Sequence, residues 1–214
     1  DKQGEEKLKE PIRLNFHRAT IDNDRLPQVN LAIAKWYLGV DRFKKAMKKL
    51  KVSQIKVFKD GETVNVAIAW KMPHMKELRT LYKFYGDGQF DIELAVVPKK
   101  ELVRYGFTFA LREGVDGVSF YGKGPFENYC DRSTAAVLKK YEGVAEDFLH
   151  DYLYPQENGN HTQMRWLSVG GVIDIKAIEK PFEASIHPYT LEMLDEAKHL
   201  HELKSLDYLT VNID

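Results

Sequence analysis

Two Glu-Asn pairs are the first candidates for chemistry in this sequence. They are Glu127-Asn128 in GKGPFENYCDR and Glu157-Asn158 in YPQENGN. A glycosidase needs two carboxylates, which lie ~5 Å apart when the enzyme retains configuration and farther apart when it inverts. Both pairs lie in segments rich in Gly and Pro, where a carboxylate accepts hydrogen bonds from free backbone N–H groups and Asn tolerates left-handed backbone angles. The local pattern therefore favours a scaffold role for Glu127 and Glu157 over a catalytic one.

The histidines and the cysteine offer weaker candidates. His199, His201 and Glu202 form an H-x-H-E cluster, but side chains at i and i+2 of a helix point apart, and no further ligands follow at a zinc-like spacing. Cys130 has no histidine at a spacing diagnostic of a nucleophile. In the basic run RFKKAMKKLK, Phe43, Met47 and Leu50 recur at spacings compatible with half-buried packing, so a solvated face explains the lysines more simply than a nucleic-acid patch. We therefore predict no metal site in this chain.

Length and composition limit the classes of function. The 214 residues suffice for a single domain over 1–214, and 32 basic residues balance 32 acidic ones, so no long-range field gathers nucleic acid or an anionic membrane. The apolar runs are shorter than the ~20 residues that span a bilayer, and the charged N-terminus lacks the apolar core of a secretion signal. We expect a soluble chain with no nucleic-acid or membrane partner. Its compartment stays open between a bacterial-type cytoplasm and periplasm.

The elements that must position these residues are mostly strands. Val64, Val66, Ile68, Trp70 and Met72 alternate with other residues after an Asp-Gly turn dipeptide, which predicts a β-hairpin. Further antiparallel pairs are expected at ELRTLYKFYGDGQFDIELAVV and at ELVRYGFTFAL with VSFYG, and additional strands at FLHDYLYPQ, HTQMRWLSV, GVIDIKAIE, PFEASIHPY and YLTVNI. TLEMLDEAKHL predicts a helix capped by Thr190, VNLAIAKWYLGVDRF predicts a short helix that stops near Gly39, and RSTAAVLKKYEG is ambiguous. The fold class expected is mainly β, an antiparallel β-sandwich with one or two short helices.

Five separated stretches together resemble one family. They are HRATIDND at 17–24, YGKGPFENYCDR at 121–132, YPQENG at 154–159, RWL at 165–167, and HLHEL with LTVNID at the end. In this order they are similar to the C-terminal small-chain domain of β-galactosidases of glycoside hydrolase family 2, over nearly the whole chain. Residues matching its structural motifs are Gly124, Pro125, Glu127, Asn128, Tyr129, Asp131, Arg132, Pro155, Glu157, Asn158 and Gly159.

The resemblance implies a fold for this chain and a separate domain that carries out catalysis. It implies a sandwich similar to the galactose mutarotase supersandwich, which accompanies a catalytic TIM barrel that carries the acid/base and nucleophile glutamates. This chain would then contain no catalytic residue and no cofactor, and whether the Mg²⁺ and Na⁺ typical of relatives bind in other domains of the parent stays open. Its partners would be that barrel and, through the parent, a β-galactoside. The resemblance further implies that strands precede and segments follow this piece in the parent, so unpaired edges lead us to expect association into a homo-oligomer.

The HRATIDND stretch is the part expected nearest the sugar. In the family this motif leads into a mobile loop at the mouth of the barrel, so the resemblance places Arg18, Asp22, Asn23 and Asp24 at the rim of the substrate pocket. Thr20 and Cys130 replace prolines of the family pattern, and Leu26 stands where some members have glycine, so the mobility of the Asp22 to Gln28 loop is open. Asp and Asn also cap turns by ordinary preference, so both roles stay open.

A second hypothesis assigns a different class of function to the same β-sandwich fold. A free-standing sugar-binding or aldose mutarotase-like protein would pair a carboxylate base with a histidine acid on the concave face. It requires Glu157 or Glu183 to approach His161 or His187.

Overall fold

The computed structural model describes residues 4–25 and 41–214, and the chain divides into two compact units. One unit comprises Asp1–Glu5 and Leu26–Arg104, and the other comprises Glu6–Arg25 and Tyr105–Asp214. The prediction of one domain over residues 1–214 stays a prediction. The helix predicted in VNLAIAKWYLGVDRF falls on residues of which most lie outside the described ranges, while residues 41–47 are helical.

The first unit contains a four-stranded antiparallel sheet in the order β2-β3-β4-β5. Its strands are β2 (Lys51–Asp60), β3 (Thr63–Lys71), β4 (Met75–Phe84) and β5 (Phe90–Pro98). Gly61 has φ +58° and Gly88 has φ +92°, values of the left-handed region that the two tight turns require. Both predicted hairpins are confirmed, because the alternation of apolar residues and the glycine-containing turns indicate the same strand boundaries.

The edge strand β2 is exposed along its whole length. All ten of its residues are exposed, and they include the large apolar side chains of Val52, Ile55, Val57 and Phe58. Ile55 and Val57 lie opposite Ile68 and Val66 of β3, so they extend an apolar row at the edge of the sheet. An edge of this kind offers unpaired backbone groups beside apolar side chains.

The second unit is a sandwich of two antiparallel sheets with the orders β1-β6-β13-β12-β9 and β11-β10-β7-β8. The first sheet consists of β1 (Leu8–Asn15), β6 (Gly106–Leu111), β9 (His161–Met164), β12 (Phe182–His187) and β13 (Thr210–Ile213). The second consists of β7 (Gly117–Gly124), β8 (Val137–Val144), β10 (Trp166–Val169) and β11 (Ile173–Lys176). The predicted antiparallel β-sandwich is confirmed.

The core of this unit lies between its two sheets. Phe109 and Val211 come from one sheet and Phe120 and Leu167 from the other, and all are at most 3% exposed. On β7 the inward positions alternate with outward ones, so Val118 and Phe120 meet the core while their neighbours face away. This packing fixes the position of β7 and therefore the point from which the GPFENYCDR loop begins.

Two predictions about strands are wrong. GFTFAL and VSFYG do not pair, since β6 and β7 belong to different sheets and the chain crosses the sandwich between them. FLHDYLYPQ is not a strand: a 3-10 helix at Ala145–Phe148 leads into irregular backbone. Side-chain contacts of that segment, described below, replace the ladder that a strand would form. RSTAAVLKKYEG, left ambiguous, contains β8.

The helical elements of the described residues are short. Leu191–Glu196 is an α-helix, and Thr190 Oγ1 accepts a hydrogen bond from Met193 N at 3.3 Å, which confirms the predicted cap. Single-turn 3-10 helices occur at Asp22–Arg25 and Leu200–Glu202. Within the residues described, no helix is long and apolar enough to cross a bilayer.

Candidate functional site

Glu127 is the centre of a hydrogen-bonded hub. Its Oε1 accepts from Arg132 Nη2 and from the Tyr152 hydroxyl, and its Oε2 accepts from Gly159 N at 2.8 Å. Only 6% of the Glu127 side chain is exposed. The hydrogen bond to Tyr152 contributes most to raising the pKa of Arg132, and burial, followed by the hydrogen bond to Glu127, raises the pKa of Tyr152. One carboxylate thus joins the GPFENYCDR loop to both ends of the 152–159 segment.

Asn128 attaches the same loop to strand β9. Its Nδ2 donates to the carbonyls of Lys123 and Phe126, both at 3.0 Å, and its Oδ1 accepts from Thr162 N at 3.0 Å and from Thr162 Oγ1 at 2.6 Å. The Asn128 backbone N–H donates to the carbonyl of Asn160 at 2.7 Å. Because Asn128 is 1% exposed, these bonds satisfy polar atoms that water cannot reach.

The second Glu-Asn pair makes contacts of the same kind with other partners. Glu157 Oε2 accepts from Ala19 N at 2.8 Å, and the Asn158 carbonyl lies 2.9 Å from Nε2 of His187. Glu157 and Asn158 are each 3% exposed. Glu157 therefore holds the HRATIDND segment, whereas Glu127 holds the 152–159 segment.

In HRATIDND, two of the predicted rim residues are tied to each other. Arg18 Nη1 donates to Asp24 Oδ2 at 2.6 Å and Arg18 Nη2 to Asp24 Oδ1 at 3.2 Å, and the Asp24 side chain is fully buried. Asp24 Oδ2 also accepts from Ile21 N at 2.9 Å. A bidentate Arg-carboxylate pair of this geometry fixes the turn that precedes the 3-10 helix.

The other two predicted rim residues, Asp22 and Asn23, are exposed. Asp22 pairs reciprocally with Gln156: Asp22 N donates to Gln156 Oε1 at 3.0 Å, and Gln156 Nε2 donates to Asp22 Oδ2 at 3.1 Å. The structure thus brings the YPQENG segment against the residues of the predicted rim. Of the predicted loop from Asp22 to Gln28, residues 26–28 lie outside the described ranges.

Asp195 belongs to this network and was missed by sequence reasoning. Its Oδ1 accepts from Thr20 N at 2.8 Å and from Thr20 Oγ1 at 3.1 Å, and its Oδ2 lies 2.9 Å from His17 Nε2. The side chains of His17 and Asp195 are 6% and 8% exposed. The only sequence signal was the acidic helix TLEMLDE, whose partner lies 175 residues earlier in the chain.

The two histidines considered for acid–base chemistry are buried. His161 stacks on Phe120 with ring centroids 5.0 Å apart and meets the edge of Phe148, and burial lowers its pKa from 6.5 to about 4. His187 stacks on Tyr189 at 5.1 Å, and burial raises the pKa of Tyr189 to about 12. Glu183 Oε2 accepts from Asn160 Nδ2 at 2.9 Å. His161 therefore has the surroundings of a core residue, neutral near pH 7.

The remaining candidates lie nearer the surface. His199 and His201 stack with an interplanar angle of 7°. His199 has extended backbone (φ −137°, ψ 149°) just before the 3-10 turn, so the helix for which the two side chains were expected to point apart is not present at this position. Cys130 and Asp131 are exposed. The Arg132 guanidinium lies 5.4 Å from the Tyr129 ring centroid. Gly124 ends β7, and an added Cβ there would come within 2.9 Å of the Tyr141 ring, so glycine permits this close approach.

A groove of about 320 Å³ adjoins the hub. Its lining includes Leu149, Tyr152 and Pro155 from one segment of the chain, and Tyr189 and Leu203 from later segments. Pro125 is exposed, whereas Pro155 is buried beside this groove. The loops carrying all the predicted motif residues therefore converge on one region of the second unit.

Comparison with known proteins gives consistent matches. A sequence model of the family described as "Beta galactosidase small chain" matches residues 1–214. The chain is 32% identical to a β-galactosidase of Vibrio cholerae over 99% of its length, and 29% identical to β-galactosidases of Actinobacillus pleuropneumoniae and Halalkalibacterium halodurans over 100% and 98%. In each case it covers 21% of the relative, so the chain spans about a fifth of the length of these curated proteins.

Proposed function

Since this chain belongs to the β-galactosidase small-chain family, we propose that it is the non-catalytic C-terminal domain of a β-galactosidase. In this proposal the chain supports the catalytic TIM barrel and completes its substrate pocket. The parent hydrolyses terminal β-D-galactosides with retention, through a covalent galactosyl intermediate formed on barrel glutamates.

The observation that carries this proposal is the use made of the two Glu-Asn pairs. Glu127 accepts hydrogen bonds from four groups of its own and a neighbouring loop, and Glu157 accepts one from the backbone of Ala19. A catalytic carboxylate must present an oxygen to substrate or water. Carboxylates committed to loop geometry suit a supporting role, which is why we assign catalysis to the rest of the parent.

The predicted rim can be divided by the same reasoning. Arg18 and Asp24 satisfy each other, so we propose that they shape the turn. Asp22 and Asn23 remain exposed, so we propose that these two face the substrate pocket of the assembled enzyme. Gln156 would hold Asp22 in place from the neighbouring segment.

We propose that any Mg²⁺ or Na⁺ that the parent binds is held outside this chain. Among the residues that the structure describes, no group of three or more His, Cys, Asp or Glu side chains converges as metal ligands do.

Activity measurements test the proposal directly. The chain alone is expected not to hydrolyse a chromogenic β-galactoside, whereas mixing it with the catalytic part of the same β-galactosidase is expected to restore turnover that neither piece has alone. Turnover by the chain alone would refute the assignment. Asp22→Ala should reduce the restored turnover. The matched control is Glu113→Ala, at an exposed position in the turn after β6, which should leave the restored turnover unchanged.

A further inference from the structure

Large apolar side chains are exposed around the hub. The exposed fractions are 90% for Leu153, 73% for Phe126, 39% for Tyr154 and 38% for Leu200. Single exposed apolar side chains are ordinary, but a contiguous group on a soluble protein marks an interaction surface. We call these four residues the loop patch.

The members of the loop patch are held close together. Phe126 precedes Glu127 and Leu153 follows Tyr152, and the Glu127 carboxylate accepts a hydrogen bond from the Tyr152 hydroxyl. Leu200 lines the same groove as Tyr152. Two of the segments that carry the patch are therefore directly hydrogen-bonded to each other, and the third, which contains Leu200, lines the groove beside them.

The backbone beneath the patch is anchored on both sides. Glu127 also accepts from Gly159 N, and the Asn128 amide donates to the carbonyl of Phe126 itself. Loops that are ordered before binding lose less conformational entropy on association. Because these loops are already anchored, we interpret their exposed apolar side chains as a preformed docking surface rather than as loop tips that become ordered only on contact with a partner.

The groove adds a place for a protruding group of the partner. Its volume of about 320 Å³ is lined by apolar side chains, among them Leu149, Pro155 and Leu203, and also by polar and charged ones, among them Glu146, His150 and Asp151. Interfaces concentrate their affinity where a side chain of one partner fills such a pocket in the other. The exposed patch and the groove beside it thus form one surface.

We propose that the loop patch and this groove dock against the catalytic part of the parent β-galactosidase. This inference rests on the proposed function, because the occupant is defined by it. The chain covers only 21% of its relatives, so about four-fifths of such an enzyme lies outside it and supplies a partner. The patch also lies on the segments that hold the predicted rim, since Gln156 binds Asp22 and Glu157 binds Ala19. Docking there brings the rim to the partner.

Thiol labelling tests the proposal at single residues. Cys130, the one cysteine of the chain, is first changed to Ser, and single cysteines are then introduced as F126C, L153C and, as a matched control, I178C. Ile178 is a similarly exposed apolar residue, at 68%. Maleimide labelling is measured for the chain alone and for the chain assembled with the catalytic part, and each rate is divided by the rate in urea.

We expect labelling at positions 126 and 153 to slow by about tenfold or more on assembly, while position 178 keeps its rate, because burial in an interface excludes the reagent. Equal rates at all three positions in the assembled enzyme overturn the proposal. Protection that already occurs in the chain alone and grows with its concentration overturns it too, since the occupant is then a second copy. Galactoside turnover of the assembled enzyme is recorded in parallel: an active enzyme with open positions 126 and 153 rejects the docking surface but not the proposed function.

Discussion

Replacing Glu127 tests whether its carboxylate acts as a structural hub. In Glu127→Ala, the N–H of buried Gly159 loses its acceptor, and the Tyr152 hydroxyl and Arg132 lose theirs. A hydrogen bond to a charged group contributes about 1.5–3 kcal/mol, and a buried donor left unsatisfied costs about 1–3 kcal/mol. Arg132 is 58% exposed and can turn to water, so its share is small.

We therefore expect Glu127→Ala to lower the free energy of unfolding by about 2–4 kcal/mol, with the Gly159 and Tyr152 contacts providing most of the loss. Arg132→Ala is the matched control, because it removes the exposed partner of the same ion pair while the buried Glu127 carboxylate keeps its hydrogen bonds from Gly159 N and the Tyr152 hydroxyl. Its expected cost is about 0–1 kcal/mol. Glu127→Gln should fall between the two, since an amide keeps one acceptor oxygen but places a donor toward Gly159 or Arg132.

Urea unfolding at pH 7, followed by tryptophan fluorescence and by circular dichroism, measures these differences. An equal loss in Glu127→Ala and Arg132→Ala would contradict the hub, because the buried contacts would then add nothing to the surface ion pair. Activity of the assembled enzyme separates structure from catalysis. If Glu127→Gln abolished turnover while the free energy of unfolding stayed at the wild-type value, Glu127 would be a catalytic residue and the reasoning above would be wrong.

Four further predictions concern stability and association. Burial lowers the pKa of His161 from 6.5 to about 4, so on acidification the unfolded chain binds a proton at this residue before the folded chain does. The stability is therefore fully present above pH 6.5, and the free energy of unfolding should fall by about 3 kcal/mol as the pH drops toward 4. Urea titrations at pH 7 and 4.5 should show a smaller fall for His161→Gln than for the wild-type chain. Thr190→Ala should cost about 1 kcal/mol and Thr190→Ser little, measured by the same unfolding, because serine keeps the capping oxygen. Gly106→Ala should cost ~3 kcal/mol or more, since a Cβ there would come within 1.9 Å of a backbone oxygen of β13, whereas Gly86→Ala, with open space, should be tolerated in a thermal melt. Val57→Lys, on the exposed edge strand, should weaken self-association of the chain in sedimentation velocity, and an unchanged association constant would exclude this edge as the contact.

Local patterns in the sequence determined most of the fold class. Alternation from Val64 to Met72 and the Asp-Gly dipeptide at 60–61 predicted a hairpin that the structure contains, because strand periodicity and turn preference act over a few residues. The Thr190 cap was readable for the same reason. The pairing of GFTFAL with VSFYG was predicted wrongly, since both segments have good strand patterns and only the packing of the whole sandwich assigns them to different sheets.

The candidate site depended on tertiary structure to a greater degree. The motif order indicated the family, and Gly- and Pro-rich context suggested loop-holding roles for Glu127 and Glu157. Which donor each carboxylate binds was not readable: Glu157 meets Ala19 across 138 residues, and Asp195 meets His17 across 178. Hydrogen bonds of this range are set by sheet register and loop geometry, which arise from the simultaneous burial of many side chains. Short-range preference determined what these residues can do, and long-range packing determined which residues they do it with.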